Sequence, residues 1–480
     1  MDFAPVTKRD VAVLKGLLAP ARVSSGASVR DLHSRDESYL PPCRPEVVVW
    51  PRRTADVAAV VRLAAERRWA VTPWCAGTSL EGNPIPLFGG VVLDFTEMNR
   101  ILEVRAADLQ ADVEPGVVYR DLNEQLRRRG LFFPPDPGAP ACIGGMLGNN
   151  AAGIRTVAYG ATRDCVLALE VVTGDGDVLQ LGNRSARPAP GYDLVRLLVG
   201  SEGTLGIVTR ATLRLRGLPP EHLTAMAVFP SIRAACEAVS QTMRRGVDPA
   251  ACELLDAGVA AEINRDRGRD GGRDPSARLP ERPLLFLELH GASRPALEPR
   301  WAVLEEILHR CGAEAIDRGM GPDERARVWA ARHGALESIR RNHPGKAFLQ
   351  ADACVPVSRF PELVLAAREA LDREGATGFL AGHAGDGNLH VALVVDRGDP
   401  ASFPPAERVN AAVVDRALAL GGTCAGEHGV GAAKLPFMAA EHGPALDVMR
   451  RVKAALDPKG LLNPGKVLPP GVRAIAYKYS

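Results

Sequence analysis

Three glycine-rich stretches set among β-branched runs constrain this 480-residue chain more than any other feature. They read PWCAGTSLEGN (73–83), GAPACIGGMLGNNAAGIRTVAYGATRD (138–164) and GSEGTLGIVT (200–209), and each precedes or follows a strand-like segment. Glycine has no Cβ and reaches positive φ freely, so such loops let backbone N–H groups close on an anion, for which a diphosphate is a suitable occupant. No GxGxxG follows a strand anywhere, which removes the usual nicotinamide or Rossmann-type flavin fingerprint. An anion site in this chain is therefore assembled from separated loops.

The periodicities place these loops in an α+β chain. Residues 9–19 read as a short amphipathic helix, and regular structure starts near Val47 with the strand VVVW, the helix ADVAAVVRLAAER opened by Thr54, and the strand WAVTPW. The runs GGVVLDF, ADVEPGVV, LALEVVTGDGDVLQL and LGIVTRATLRLR continue that style to about residue 216. After Gly217-Leu218-Pro219-Pro220 the pattern changes to a short strand, AMAVFP, a long helix, SIRAACEAVSQTMRR, and a strand, LLFLELHG. Helices at about 296–311 and 361–374, with strands near 284–290 and 391–395, predict an antiparallel sheet covered by helices. The interval 264–282 is almost devoid of apolar residues and reads as a solvated loop or insertion. The expected division is 1–41, 42–219, 220–420 and 421–480, as a length of 480 residues exceeds one usual core.

Composition excludes several classes. Hydrophobic residues at 46% and charged residues at 24% fit a globular enzyme rather than a disordered chain. With 59 basic against 57 acidic residues, the chain has no field that favours nucleic acid, and Arg127-Arg128-Arg129 before Gly130 reads as a solvated helix end. Nine cysteines stand singly without a CxxC pair, so neither a disulfide framework nor a thiolate zinc site is expected, and a reducing, cytoplasmic setting fits. The N-terminus lacks the features of a signal peptide, and no run reaches about 18 apolar residues. Any membrane association is expected to be peripheral, at the inner face.

The chemistry concentrates in GHAGDGNLH (382–390) and AGEHGVG (425–431). Asp386-Gly387-Asn388 makes a tight turn before the strand HVALVV, so a hairpin brings His383 and His390 to one end. Glu427 would complete two neutral nitrogens and one anionic oxygen around a divalent cation, with positions left open. Zinc, manganese and iron(II) all suit such a set, with zinc slightly ahead of manganese. His428, next to that carboxylate and followed by the flexible Gly429, has the intrinsic pKa to take a hydroxyl proton near neutrality.

In order and spacing, the three glycine-rich segments resemble the vanillyl-alcohol-oxidase (PCMH) type of FAD-binding domain. The resemblance implies flavin contacts from Ala76, Gly77, Thr78, Ser79 and Leu80, from Gly144, Gly145, Leu147 and Asn150, and from Gly203, Gly206 and Ile207. Trp74 and Cys75 depart from common versions of the first loop. No histidine lies between His33 and His222, so the FAD is expected to be noncovalent. Together with VWAARHGALESIRRNHPGKAFLQADACVPVSRFPEL (328–363) and ALDPKGLLNPGK (455–466), the two histidine motifs make about residues 40–467 similar to FAD-linked D-lactate dehydrogenases, D-2-hydroxyglutarate dehydrogenases and the glycolate oxidase large subunit.

That resemblance implies a two-subdomain FAD-binding domain (42–219), a substrate or cap domain (220–420) and a closing segment (421–480) that completes the active site. It implies oxidation of a D-2-hydroxy acid, D-lactate foremost, by hydride transfer to flavin N5, with electrons passing to a quinone, a cytochrome or an electron-transfer flavoprotein. His428 takes the role of base and Arg332 that of substrate-carboxylate clamp. Gln350 stands where relatives acting on 2-hydroxyglutarate carry a lysine, which disfavours a diacid. Glycolate, 2-hydroxyglutarate or a longer hydroxy acid are alternative substrates. A non-redox flavin transferase resembling alkyl-dihydroxyacetone-phosphate synthase is more remote, since its run of consecutive histidines is absent.

Overall fold

The computed structural model describes residues 2–269 and 278–469. Helix Lys8–Leu18 opens the chain, where Thr7 and Asp10 cap it reciprocally, Thr7 N–H donating to Asp10 Oδ2 at 2.9 Å and Asp10 N–H to Thr7 Oγ1 at 3.3 Å. Its Leu14 and Leu18 pack beneath a four-stranded sheet of β1 (Val23–Ser24), β2 (Val47–Val49), β3 (Val71–Trp74) and β4 (Val91–Asp94), in the order β1-β2-β4-β3. β2 and β3 run parallel to β4 and are joined by helix Thr54–Arg67. Val57, Val60, Val61 and Ala64 of that helix recur at helical spacing and bury against the sheet.

A second sheet is antiparallel throughout. Its strands are β5 (Ile101–Arg105), β6 (Gln110–Val113), β8 (Val166–Val172), β9 (Val178–Gly182) and β10 (Ile207–Arg214), in the order β5-β6-β10-β8-β9. The short β7 (Leu131–Phe132) and β11 (Arg216–Gly217) pair beside it. Helix Tyr119–Arg127 ends on the first residue of the arginine run, with Arg128 as its C-cap, and Gly130 follows at positive φ, as the stop signal predicts.

From Glu221 onward the chain builds a seven-stranded antiparallel sheet of β12 (Glu221–Val228), β13 (Ala251–Leu255), β14 (Leu284–Gly291), β15 (Ala315–Met320), β16 (Ala347–Cys354), β17 (Gly378–His383) and β18 (Asn388–Val395). The order is β15-β12-β14-β13-β17-β18-β16. Side chains alternate faces along a strand, and here that alternation divides labour. Leu285, Leu287, Leu289, Leu349, Ala351, Ala353, Leu389, Val391 and Leu393 enter one aliphatic core beneath helices Ile232–Arg244, Arg294–Arg310, Phe360–Glu374 and Phe403–Ala419. The intervening positions on the opposite face carry Glu253, Glu288, His290, Gln350, Asp352, His383 and His390. Helices Ala257–Arg269, Pro322–His333 and Ala335–Asn342 cover part of that face through Val259, Ile263, Trp329 and Ile339.

The polar interval departs from its reading as a loop. Helix Ala257–Arg269 runs into it, Asn264 is buried and exchanges two 2.9 Å hydrogen bonds with the Leu279 backbone, and Asp266 pairs with Arg341. These polar side chains are satisfied by the returning chain and by helix Ala335–Asn342, partners invisible to local composition. The rest of that expectation, residues 270–277, lies outside the described residues. No described helix is long and apolar enough to cross a membrane. After helix Ala445–Leu456 the chain returns to β3, where Val71 N–H donates to Leu461 O at 2.9 Å and Asn463 N–H to Val71 O at 2.8 Å.

Candidate active site

The three glycine-rich stretches converge on one cavity. Its walls include Ala76, Gly77, Thr78, Ser79 and Leu80 from the first, Gly144, Gly145 and Leu147 from the second, and Gly203, Gly206 and Ile207 from the third. Gly145 has no atom within 4 Å of where a Cβ would stand, so the space beside its backbone belongs to whatever the cavity holds. Asn150 is placed differently from its expectation. It caps helix Ile143–Asn149 in the left-handed region at φ 56°, and its Oδ1 accepts from Arg163 N–H at 2.8 Å, while Asn149 lines the cavity instead. An asparagine tolerates the left-handed cap because its short polar side chain bonds locally.

Glu427 and His428 line the same cavity. Behind them, hairpin β17–β18 presents His383 and His390 across a turn in which Gly387 adopts φ 84° and a Cβ would fall 2.0 Å from Val355 O. His383 Nε2 lies 3.1 Å and His390 Nε2 3.2 Å from the same oxygen, Glu427 Oε1. The other nitrogen of each ring faces a carboxylate: His383 Nδ1 is 2.7 Å from Glu253 Oε1, and His390 Nδ1 is 3.4 Å from Asp352 Oδ1. A ring that gives its Nδ1 proton to a carboxylate presents a bare Nε2 lone pair on the other side, the usual outer support of a metal-ligating histidine. His383 has that support from Glu253, whereas His390 Nδ1 and Asp352 Oδ1 form no hydrogen bond; the two Nε2 atoms and a carboxylate oxygen converge in a buried space, and Glu427 Oε2 is buried there without a hydrogen-bond partner. That donor set fits a divalent cation.

Several residues that shape this centre were not singled out from the sequence. Asp352, fully buried on β16, accepts at Oδ2 from the successive N–H groups of Gly426, Glu427 and His428, each at 3.0 Å, and pairs with the buried Lys434 at 3.2 Å. One carboxylate therefore holds the loop that carries two site residues. Burial works against that charge, but Lys434 and His428 keep Asp352 well below the normal carboxylate range. Glu202, from the third glycine-rich stretch, accepts from Val430 N–H at 2.6 Å and Gly431 N–H at 2.9 Å, so a flavin-side loop ties the far end of the same segment. A lone acid inside an aliphatic strand, as in ACELL or FLQADAC, is the signal that could have marked Glu253 and Asp352.

His428 stacks on His390 with ring centroids 5.0 Å apart and planes 14° from parallel. Its Nδ1 side faces Glu81 Oε1 at 3.5 Å and Asp352 Oδ2 at 3.7 Å, and its Nε2 lies 4.0 Å from Glu427 Oε1. Arg332 also sits at this centre, on helix Pro322–His333, with Nε 2.9 Å and Nη2 2.7 Å from Glu253 Oε2. One edge of the guanidinium is thereby taken by the carboxylate that orients His383. Gln350 is buried two residues before Asp352 on the same face of β16, with its Nε2 unpartnered.

Cavity and polar centre adjoin through Glu427, and the chain is a flavin enzyme by the families it matches. Residues 45–182 match the FAD binding domain family, and residues 218–467 match the C-terminal domain of the FAD linked oxidases. The chain belongs to the FAD-linked oxidases. It is 39% identical over 466 residues to the probable mitochondrial D-lactate dehydrogenase of Danio rerio, covering 96% of this chain and 92% of that protein. The mitochondrial D-lactate dehydrogenase [cytochrome] of Arabidopsis thaliana is 36% identical, covering 98% and 82% of the respective chains. Glycolate oxidase subunit GlcD of Bacillus subtilis (strain 168) is 34% identical, covering 96% and 97%. Among solved structures, p-cresol methylhydroxylase superposes with a TM-score of 0.79 at 18% identity, covering 97% of this chain and 98% of that one. Alkyldihydroxyacetonephosphate synthase superposes at 0.74 with 19% identity, over 97% and 86%. The structural matches establish a PCMH-type fold.

Proposed function

We propose that this chain is an FAD-linked D-2-hydroxy-acid dehydrogenase that oxidises D-lactate to the 2-oxo acid. The carrying observation is that Glu427 and His428 line the cavity of the glycine-rich loops, while Glu427 also closes a centre with His383 and His390. Of the similar proteins named above, one is a D-lactate dehydrogenase [cytochrome] and another a probable D-lactate dehydrogenase. Residues 42–219 serve as the FAD-binding domain, 220–420 as the substrate domain, and 421–480 as the closing segment, with 1–41 as an N-terminal addition.

The glycine-rich loops would hold FAD noncovalently, and His383, His390 and Glu427 would hold a divalent cation, zinc ahead of manganese. When bound, the cation would supply a positive charge beside a substrate oxygen and the flavin a hydride acceptor for C2. His428 receives the hydroxyl proton at Nε2, because Glu81 and Asp352 flank the Nδ1 side of its ring. Arg332 orients the substrate carboxylate through the guanidinium N–H groups that Glu253 leaves available. Gln350, uncharged on the same sheet face, offers no cation for a second carboxylate, which favours a monocarboxylate over 2-hydroxyglutarate. Electrons leave to a separate cytochrome or quinone, the cytochrome favoured by the name of the Arabidopsis relative.

The test is anaerobic flavin reduction by D- and L-lactate, glycolate and D-2-hydroxyglutarate. The visible flavin band bleaches fastest with D-lactate and not with L-lactate; no bleaching by any 2-hydroxy acid overturns the assignment. His383→Ala should abolish the metal content attributable to this centre and the bleaching with it.

A further inference from the structure

The polar face of the seven-stranded sheet carries a second set of two histidines and a glutamate. Glu288 and His290 stand two apart on β14, so they share a face, and His222 on β12 is the direct cross-strand partner of His290. Their ligating atoms all lie within 4.8 Å of one another. His290 Nε2 is 2.6 Å and His222 Nδ1 3.6 Å from the same oxygen, Glu288 Oε1, and the two rings meet edge to face at 4.7 Å.

The surroundings resemble the outer support of a ligand set. His290 Nδ1 is 2.6 Å from Tyr159 Oη, which can accept its proton once a cation replaces the one that Nε2 shares with Glu288 Oε1 at 2.6 Å. The second oxygen, Glu288 Oε2, accepts from Arg325 Nε at 2.7 Å, which fixes the carboxylate while leaving Oε1 directed inward. His222 Nδ1 is a buried nitrogen with no hydrogen-bond partner. A single proton between Glu288 and His290 satisfies one pair and leaves His222 Nδ1 unpaired. A divalent cation satisfies all three donors together.

We propose that His222, Glu288 and His290 form a second divalent-metal site, of zinc type. Two imidazole nitrogens and one carboxylate oxygen suit zinc, and the fourth position is open to water beside His222, whose side chain is 22% exposed. The site shares no residue with His383, His390 and Glu427 and lies on β12 and β14, with β13 between it and the β17–β18 hairpin. Its role is structural: through His290 and Tyr159 it fastens the cap sheet to the second glycine-rich stretch.

Metal-stripped, FAD-loaded enzyme is equilibrated with zinc, freed of excess and assayed for zinc per chain by mass spectrometry. Two zinc ions are expected in the natural chain, one in His222→Gln/His290→Gln, one in His383→Ala and none when all three changes are combined. A chain that holds one zinc and loses it in His383→Ala overturns the second site, as does a count unchanged by His222→Gln/His290→Gln. A single zinc that survives His383→Ala and disappears in His222→Gln/His290→Gln supports the second site while refuting the metal at the active centre. His222→Gln alone, at the start of its strand, guards against misfolding. It should weaken one class of zinc site by about 10- to 100-fold or more with flavin content retained; unchanged affinity of both classes overturns the proposal.

Discussion

Asp352 does more for the proposed chemistry than its distance from the flavin cavity suggests. Its Oδ2 accepts from three backbone N–H groups of the loop carrying Glu427 and His428 and pairs with Lys434, while Oδ1 faces His390. In Asp352→Asn an amide replaces a carboxylate that accepts at every contact, so the loop shifts and a buried lysine loses its counter-charge. Activity and metal affinity should fall about 10- to 100-fold, and urea melts should show about 3–5 kcal/mol of lost stability. Unchanged zinc affinity in a folded variant would refute this positioning role. Arg332 differs in kind, since its pairing with Glu253 makes Arg332→Lys a double change. Lysine cannot reproduce the forked contact, so the apparent affinity for D-lactate should weaken and His383 lose part of its orientation. A KM identical to that of the natural chain would remove Arg332 from the substrate site.

At the scale of elements, the β17–β18 hairpin depends on one backbone conformation. Gly387 combines φ 84° with a contact that excludes any Cβ. Gly387→Ala should destabilise by about 1–3 kcal/mol from backbone strain alone, and the displaced turn should reduce active-site zinc in the same mass-spectrometric assay. The second sheet offers a pH test. Asp112 on β6 bonds Arg105 at 2.6 Å and Thr212 of β10 at 2.7 Å, and also pairs with Arg210. Burial opposes its charge, but these arginines and the hydroxyl lower its pKa below 3.8. The sign follows directly: the contribution is complete above the unfolded value and is lost as pH falls through the lower folded one. Acid titration of the urea midpoint should therefore flatten below about pH 4 in Asp112→Asn. A midpoint that falls as steeply as in the natural chain would contradict this.

For the whole molecule, the closing segment joins what the sequence separates. Residues 461–463 extend the first sheet beside β3, Asn463 Nδ2 donates to Asn83 O and Glu202 O at 3.0 and 2.8 Å, and Lys466 Nζ donates to Ile85 O at 2.6 Å. Asn463 itself lines the flavin cavity. A chain ending at residue 456 should lose most of its bound flavin and melt at lower temperature, read from the ratio of visible flavin to protein absorbance. Flavin content equal to that of the full chain would show that the return to β3 is dispensable.

Much of this architecture is legible from local chemistry. Strand alternation, helix caps and glycine loops depend on neighbours a few residues away, so helices such as Thr54–Arg67 and Phe360–Glu374 and the hairpin at Gly387 follow from composition and spacing. The glycine motifs also named residues that line the cavity, although Asn150 caps a helix and Asn149 lines the cavity in its place. The carboxylates behind them were not legible. Glu253, Asp352 and Glu202 act across 130, 76 and 228 positions on His383, His428 and Val430, and no local pattern encodes such pairings. Burial makes those pairings decisive, since a charge removed from water persists only where the fold brings partners to it. The sequence by itself determined the strands, the glycine loops and the ligand-type side chains; the tertiary structure decided which acids orient them, and that one sheet face carries two sets of histidines and glutamate.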